Sequence, residues 1–288
     1  MPRWVITAAG TLGFDDLTTP AGSRTALPGG SALYFALAAH RFCEVRLVAA
    51  VGTDGRALID LLDAATIDRS GVVQMNGDTY RWRAEHHPAE PVPIHQEQRL
   101  GVYLDWEPEV PLLARTSEIL FLGSMPPQRQ LEVLAQCRPT ELVALDTMTD
   151  FIATDRSGLE ELLERCDMLF VNEEELRSLF PVPLPDALDL AREAVAHWDL
   201  RMLILKRGVL GAVQVSLDDT RVFPALAGSP VVDPTGAGDA LAGGVLGRLA
   251  ELGRRDDGAL AQAMAAGSLA ARATISAFGV EGLRGDPG

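Results

Sequence analysis

The sequence predicts an α/β fold in which a mostly parallel central sheet lies between two layers of helices. Short β-branched or apolar runs alternate with longer segments of helical periodicity along most of the chain. This alternation is typical of parallel strands joined by crossover helices. The chain has 288 residues, 47% of them hydrophobic, which is enough for one large domain or two small ones.

The elements follow from these runs in chain order. Strands are predicted at 4–8, 45–51, 118–122, 141–145, 167–171, 201–206 and 211–216. Helices are predicted near 30–42, 55–64, 128–136, 157–165, 173–179, 186–197, 235–253 and 257–277. Ligands of such sheets bind at the carboxyl ends of the strands. Polar residues follow several of those ends: Asp15, Asp16, Asp146 and Asn172.

Two segments interrupt the alternation. Residues 11–27 read as a loop that contains Gly, Thr and Pro, and residues 72–104 carry strand-like pieces at 72–76, 79–85 and 99–104 without a helix between them. Together these segments predict a small β lid, of the kind that closes over substrates. An ordinary surface excursion is the alternative.

Tyr80, Trp82 and Ala84 alternate along one predicted lid strand and so share a face. That face has three interpretations, namely a cover for the substrate, a homodimer contact through the lid, or packing on the protein's own core. The lid also holds His86, His87 and His95, but no acidic or cysteine partner stands at metal-ligand spacing.

The composition excludes some classes of function. A net charge of −15 argues against a nucleic-acid partner, because phosphate backbones are held by clustered Lys and Arg. No apolar run reaches the roughly 18 residues of a membrane span. The N-terminal Trp4–Ala8 segment reads as a strand and not as a signal peptide, and the three cysteines form no disulfide pattern. We therefore expect a cytoplasmic protein that binds small molecules.

The segment from Asp233 to Asp239 carries the chemistry. A strand-like stretch at 230–232 leads into Asp-Pro-Thr-Gly-Ala-Gly-Asp, after which a helical pattern begins. Gly236 and Gly238 permit a tight turn, and the free N–H groups of the next helix favour an anion there. This predicts an anion hole for a transferring phosphoryl group, with Asp239 placed to accept a proton from an attacking hydroxyl.

Two other phosphate-binding motifs are excluded. The sequence contains no G-x-x-x-x-G-K-[ST] loop. A dinucleotide fingerprint also fails, because Leu241 stands where the third glycine belongs and the motif follows the last predicted strand.

With these motifs, the sequence resembles the ribokinase-like (PfkB) carbohydrate kinases. The resemblance covers nearly the whole chain in family order and implies a single kinase domain over 1–288 with the lid inside it. The motifs that carry it are Asp233–Asp239, Pro28–Ala32 followed by Val51–Gly55, Asn172–Glu175 and Lys206–Gly211.

The resemblance implies a role for each matching residue on the phosphate side. Asp239 resembles the catalytic base, with Gly236, Ala237 and Gly238 as the anion hole. ATP and Mg²⁺ are the implied cofactors, and a monovalent cation is left open. The residues implied at the nucleotide are Asn172, Glu175, Lys206, Gly208, Gly211 and Thr235, of which Asn172 and Glu175 organise Mg²⁺ through water.

Some of these roles have alternatives. Glu173, Glu174 and Glu175 also suit an ordinary acidic helix start. Lys206, the only lysine, suits a surface lysine at a strand end as well as a phosphate ligand. The stretch from Ala265 to Gly279 is implied to wall the adenine.

On the substrate side, Asp15 resembles the acid that binds substrate hydroxyls, with Asp16 as its near alternative. Gly29 and Gly30 resemble the hinge of the lid. Many relatives carry a sugar-binding Asn where this chain has Tyr34, so the substrate pocket is expected to differ from that of ribokinase. A phenol offers one hydroxyl and a bulky ring that can stack.

The predicted function is the transfer of the γ-phosphate of ATP to a hydroxyl of a sugar or related polyol. A nucleoside kinase, with Tyr34 or Trp82 stacked on the base, is the first alternative. A ligand-binding protein without catalysis on the same fold is the second, and the intact Asp239 and glycine turn argue against it.

Overall fold

The computed structural model describes residues 3–87, 93–180, 186–228 and 230–284. The strands are β1 (Ile6–Ala9), β2 (Gly13–Thr19), β3 (Gly22–Gly29), β4 (Val45–Val51), β5 (Asp68–Gln74), β6 (Tyr80–Glu85), β7 (His95–Arg99), β8 (Ile119–Leu122), β9 (Leu142–Asp146), β10 (Met168–Asn172), β11 (Met202–Lys206), β12 (Ala212–Val215) and β13 (Thr220–Phe223). The helices are α1 (Ser31–Ala39), α2 (Arg56–Ala64), α3 (Pro127–Gln136), α4 (Thr149–Thr154), α5 (Arg156–Leu163), α6 (Glu173–Ser178), α7 (Ala187–His197), α8 (Ala237–Leu252), α9 (Asp257–Ile275) and α10 (Glu281–Arg284).

The main sheet has the strand order β13-β12-β11-β10-β9-β8-β1-β4-β5 in the described part of the chain. Its strands run parallel, except that β12 pairs antiparallel with β11 and with β13. One face of the sheet packs against α1, α2, α8 and α9, and the other against α3, α5, α6 and α7. This three-layer α/β/α arrangement confirms the predicted fold class.

The main-sheet strands lie close to their predicted bounds, and the structure adds α4, α10 and β13. The stretch at 230–232 is not the strand that the sequence suggested. The N–H of Val232 donates to the carbonyl of Ile275, at the end of α9, and Pro230 has no N–H for a ladder. The chain therefore approaches the glycine turn along a helix end and not along a strand.

A small sheet with the order β3-β2-β6-β7 stands apart from the main sheet. Its β2 and β3 cover most of 11–27, so the predicted loop there was wrong. Acidic residues and glycine are depleted in strands, which hid β2 from sequence patterns. Backbone pairing of β2 with β3 on one side and β6 on the other stabilises it instead.

The second predicted lid segment also needs correction. Its piece at 72–76 falls largely in β5, which pairs parallel with β4 and so belongs to the main sheet. Its piece at 99–104 is mostly a 3₁₀ turn, Gly101–Leu104, that follows the end of β7. Residues 88–92 of the predicted lid lie outside the described residues.

Helices α1, α8 and α9 pack closely because of glycines within α8. A Cβ at Gly243 would overlap the carbonyl oxygen of Phe35, and a Cβ at Gly244 would lie 2.7 Å from the Cα of Gly267. Each mid-helix glycine costs about 1 kcal/mol relative to alanine. The absence of side chains at these glycines lets α8, and the turn before it, lie close to α1. Among the described helices, none is long and apolar enough to cross a membrane.

Candidate active site

The turn before α8 carries the predicted base. Gly236 caps the helix with φ of 73°, in the left-handed region that glycine adopts readily. The ring of Tyr34 lies directly against it, and a Cβ at position 236 would overlap that ring. Asp239 follows in the first turn of α8, where N–H groups lack intrahelical acceptors. The carboxylate of Asp239 therefore shares one turn with the N–H groups of the helix start, of which that of Ala237 donates to the carbonyl of Pro234 at 3.3 Å.

Lys206 lies beside this turn, at the carboxyl end of β11. Its Nζ donates to both carboxylate oxygens of Asp146, at 3.0 and 3.1 Å, and lies 3.6 Å from Oε2 of Glu175. A Cβ at Gly238 would be 3.2 Å from Nζ. The side chain is only 15% exposed, so Lys206 is a buried ion-pair partner and not the surface lysine that the sequence left open.

This cluster sets the charge state of the site. Burial raises the pKa of Asp239 to about 7; the carboxylates of Asp146 and Glu175 add to the shift and the ammonium of Lys206 opposes it. Burial alone lowers the pKa of Lys206, but Asp146 and Glu175 raise it above its ordinary value. Lys206 is therefore charged at neutral pH, and Asp239 titrates near neutrality, as suits a general base.

Asp15 lies across from this cluster, on β2, and is buried. Its Oδ2 accepts a hydrogen bond of 3.2 Å from the hydroxyl of Tyr34. A Cβ at Gly29 would overlap its carboxylate, so the carboxylate rests on that glycine. Burial raises the pKa of Asp15 to about 8, and the charges of Asp233 and Asp239 contribute to the shift. The structure thus brings Asp15, Gly29 and Tyr34 together within electrostatic reach of the predicted base.

Asp16 faces the opposite side of β2 from Asp15. Its Oδ1 accepts from the N–H of Ala26, within the β2–β3 hairpin. Gly30 follows β3 directly and caps α1 with φ of 94°. The geometry therefore favours Asp15 over Asp16 as the acid that faces the site.

Asn172 and Glu175 begin α6 in a reciprocal capping box. Oδ1 of Asn172 accepts from the N–H of Glu175 at 2.8 Å, and Oε2 of Glu175 accepts from the N–H of Asn172 at 2.7 Å. The pair therefore forms the acidic helix start that the sequence allowed, and Glu175 also lies beside Lys206, while the role toward Mg²⁺ stays a prediction.

The same pair fits an indirect role toward Mg²⁺. In the described ranges, no group of three or more His, Cys, Asp and Glu side chains could hold a metal ion directly. Mg²⁺ usually keeps several waters and binds one or two carboxylates together with substrate phosphates. The buried carboxylate of Glu175 and the amide of Asn172 are oxygen donors of the kind that such a water shell needs.

Asp233 anchors the glycine turn from behind. Its Oδ1 accepts from the N–H of Thr235 at 3.0 Å, and its Oδ2 accepts from the N–H of Gly279 at 2.9 Å. It is fully buried. The stretch from Ala265 to Gly279, predicted to wall the adenine, is thereby tied to the turn.

Gly208 and Gly211 follow Lys206 at the carboxyl edge of the main sheet. Gly208 opens the 3₁₀ turn Gly208–Leu210, and Gly211 leads into β12. A Cβ at Gly211 would overlap the carbonyl oxygen of Phe223 on β13. These glycines lie on the Lys206 side of the site, away from Asp15.

The small sheet touches the glycine turn before α8. The hydroxyl of Thr19 donates to the carbonyl of Val232 at 2.8 Å, and Nε2 of His86 lies 3.1 Å from the hydroxyl of Thr235. Burial lowers the pKa of His86, so its ring is neutral at pH 7. The small sheet therefore covers the site from Asp15 to the glycine turn.

Some residues of the site escaped the sequence reasoning. Asp233 stands out in the sequence only as part of the motif, because one of its two backbone partners is two residues away and the other, Gly279, is 46 residues away. Gln98 on β7 donates from Nε2 to Oδ2 of Asp150 on α4 at 3.0 Å, and its Oε1 accepts from the hydroxyl of Tyr80. A polar residue in the predicted lid was the available signal for Gln98. For Asp150, the signal was its place just past the strand that ends at Asp146.

Comparison with known proteins identifies the family. The profile of the pfkB family carbohydrate kinases matches residues 7–282. The cytidine kinase of Thermococcus kodakarensis is 32% identical over 249 residues, which are 82% of this chain and 85% of that protein.

Solved structures support the fold. The ribokinase of Thermotoga maritima superposes with a TM-score of 0.75 at 22% identity, covering 97% of this chain and 95% of that one. The nucleoside kinase of Burkholderia thailandensis, solved in complex with inosine, superposes with a TM-score of 0.75 at 22% identity, covering 95% of this chain and 92% of that one.

Proposed function

From the premise that this chain belongs to the pfkB family of carbohydrate kinases, we propose that it transfers the γ-phosphate of ATP to a hydroxyl of a small sugar, related polyol or nucleoside. Kinases of this family are phosphotransferases with alcohol acceptors. The observation that carries the proposal is the position of Asp239, whose carboxylate shares the first turn of α8 with anion-binding N–H groups.

Asp239 takes the proton of the acceptor hydroxyl as its oxygen attacks the γ-phosphorus. Little covalent chemistry is required of the protein in such a transfer, because positioning and charge stabilisation dominate. The N–H groups of the turn at Gly236, Ala237 and Gly238 face the negative charge on the transferring group. Lys206 adds a fixed positive charge beside that turn.

The nucleotide lies along the carboxyl ends of β10 and β11 in this proposal. Its phosphates meet Thr235 and Lys206, and it passes Gly208, which has open space beside it, and Gly211, which packs against Phe223 of β13. Asn172 and Glu175 would hold Mg²⁺ through water, and the ion would supply charge neutralisation at the phosphates.

The small sheet acts as a lid. Its contacts with the catalytic turn, between Thr19 and Val232 and between His86 and Thr235, keep water away from the phosphoryl group. Gly29 and Gly30 join the lid to α1 and form its hinge. Water excluded in this way does not compete with the acceptor.

Asp15 binds the acceptor's hydroxyls, with Tyr34 holding its carboxylate in place. Between the two acceptor classes, the similarity to a cytidine kinase over most of both chains favours a nucleoside over a free sugar.

We extend the proposal to assembly and location. β3 and β7 are the edge strands of the small sheet in the described residues, and unpaired edges offer backbone groups to a second copy. A homodimer through the lid would use them.

A cytoplasmic location suits an ATP-consuming reaction and three cysteines that are free thiols.

The reaction is tested by measuring ADP release from Mg·ATP over a panel of sugars, inositols and nucleosides. We expect acceptor-dependent turnover with at least one sugar or nucleoside, and loss of that turnover when Mg²⁺ is chelated. Tight binding of one compound without turnover of any would contradict the proposal.

A further inference from the structure

One row of side chains crosses the small sheet toward the main body of the protein. In the register of the sheet, Asp15 on β2 pairs with Trp82 on β6, and Trp82 pairs with Gln98 on β7. Laterally paired residues point to the same face of a sheet. Asp15, Trp82 and Gln98, called here the recognition row, therefore face the same side, and Asp15 shows that this is the side of the active site.

Tyr80 confirms the direction in which the row faces. It lies two residues before Trp82 on the same strand, so its side chain points to the same face. Tyr80 is buried, and the charges of Asp15, Asp150 and Asp239 all act on its hydroxyl. Tyr80 packs in the core cluster that includes Tyr103, and the half-buried Trp82 packs against the same cluster, so the face that carries the row is turned toward the main body of the protein.

The spacing of the row matches an elongated substrate. Neighbouring strands lie about 4.8 Å apart, so Asp15 and Gln98 are separated by about 10 Å with the half-buried indole of Trp82 between them. That separation is comparable to the length of a nucleoside from its sugar hydroxyls to the far edge of its base. A free pentose at Asp15 would not extend to Gln98.

The far end of the row has a defined hydrogen-bonding pattern. The hydroxyl of Tyr80 donates to Oε1 of Gln98, which turns the amide nitrogen toward Asp150. An amide nitrogen has two N–H donors, and a carboxylate accepts several hydrogen bonds. Beyond their mutual bond, this pair can offer an N–H donor next to an anionic acceptor.

We infer that the recognition row, completed by Asp150, binds a nucleoside whose base carries an exocyclic amine beside an unprotonated ring nitrogen. The inference rests on the proposed function and names its acceptor class. Sugar hydroxyls meet Asp15, the base stacks on the indole of Trp82, and the amine donates to the carboxylate of Asp150. The ring nitrogen accepts from the amide of Gln98.

This pattern separates bases by chemistry and not by size alone. Cytosine and adenine both present an amine beside a bare ring nitrogen, whereas uracil and hypoxanthine present a carbonyl beside a ring N–H. The second arrangement places an acceptor against the carboxylate of Asp150 and a donor against the amide of Gln98. Sites that leave buried polar groups unpaired in this way discriminate strongly.

The test compares matched nucleosides in binding and in turnover. Calorimetry with cytidine, uridine, adenosine, inosine and ribose gives affinities, and initial rates with Mg·ATP give kcat/KM for the same compounds. We expect each amino nucleoside to bind at least about tenfold more tightly than its oxo counterpart, because one charged hydrogen bond is gained and one unpaired group avoided.

Variants locate the preference. Asp150→Asn and Gln98→Leu each should lower affinity for the amino nucleosides by about 10- to 100-fold and leave ribose unchanged. Glu97→Gln is the matched control, since Glu97 lies on β7 opposite Arg83, on the outer face of the sheet, and is exposed. It should change none of these values.

The outcomes keep the two proposals apart. An amino preference in calorimetry without any phosphorylation would contradict the proposed function and support the recognition row. Phosphorylation with equal kcat/KM for amino and oxo bases, or an amino preference that survives both substitutions, would support the reaction and overturn the inference.

Discussion

The proposed phosphate side of the active site and its proposed acceptor side are built from different parts of the fold. The phosphate side consists of strand ends and helix starts of the main sheet, where Asp239, Lys206 and Glu175 converge from α8, β11 and α6. The acceptor side consists of neighbours across the small sheet, with Asp15, Trp82 and Gln98 in one row. The first side gathers side chains from strand ends and helix starts, whereas the second gathers side chains from the middle of neighbouring strands. A fold built this way keeps its reaction while its acceptor changes.

The largest effect should come from the phosphate side. Asp239→Asn removes the proposed base, and such a loss usually costs about 10² to 10⁴ in rate. We expect kcat to fall by that factor while ATP affinity and the melting temperature stay nearly constant, as measured by turnover, calorimetry and thermal unfolding. Asp257→Asn, at an exposed position at the start of α9, is the control. Near-full turnover in the Asp239 variant would remove it from the mechanism.

A substitution at Gly29 should weaken binding of the acceptor without weakening binding of ATP. A Cβ there overlaps the carboxylate of Asp15, and overpacking of this kind costs about 1–3 kcal/mol. Gly29→Ala should therefore raise the KM of the acceptor by about 10- to 100-fold and change the KM of ATP little. Gly258→Ala, in the first turn of α9, tests whether any glycine substitution has this effect. Equal losses for acceptor and ATP would show that the two sides are not separable.

The positive charge of Lys206 should affect how kcat/KM depends on pH, because it acts on the pKa of Asp239. Since the pKa of Asp239 is raised to about 7 and a base must be deprotonated, kcat/KM should fall as the pH drops below about 7. The ammonium of Lys206 lowers the pKa of Asp239, so Lys206→Met should move this acid limb to higher pH, by about one unit, and Lys206→Arg should move it less. A uniform loss of rate with an unmoved limb would mean that Lys206 acts only through structure.

The smallest effect is expected at Tyr34. Tyr34→Phe deletes the hydroxyl that donates to Asp15 and keeps the ring that rests on Gly236. A buried hydrogen bond contributes about 0.5–1.5 kcal/mol. The KM of the acceptor should therefore rise about two- to tenfold, with kcat and the KM of ATP nearly unchanged. A drop in kcat as large as the rise in KM would indicate that the hydroxyl also positions the catalytic turn.

The same contrast decides what could be predicted from the sequence. The strands of the main sheet are buried on both faces and appear as apolar runs, and the glycine turn carries its own motif, so this part of the fold and the position of that turn were predictable. β2 has the sequence Gly-Phe-Asp-Asp-Leu-Thr-Thr, which resembles a loop because its stability comes from pairing with β3 and β6.

Side-chain partners across long separations were not predictable. Lys206 and Asp146 are 60 residues apart, and Gln98 and Asp150 are 52 apart, so neither pair leaves a local pattern. The sequence left Lys206 between a surface position and a phosphate ligand, and its buried ion pair emerged only when three adjacent strand ends came together. The sequence draws attention to Tyr34, but its contact with Gly236 depends on the packing of α1 against α8.

That contact between Tyr34 and Gly236 has a consequence for protein engineering. One face of the ring supports the turn that carries Asp239, while the hydroxyl at its tip holds Asp15. A library that enlarges the pocket at position 34 would withdraw support from the catalytic turn in the same step. Variants at position 34 that accept more substrates should therefore also have a lower kcat. Substitutions at Trp82 and Gln98, which lie on β6 and β7 of the small sheet, should change acceptor specificity and leave kcat nearly unchanged.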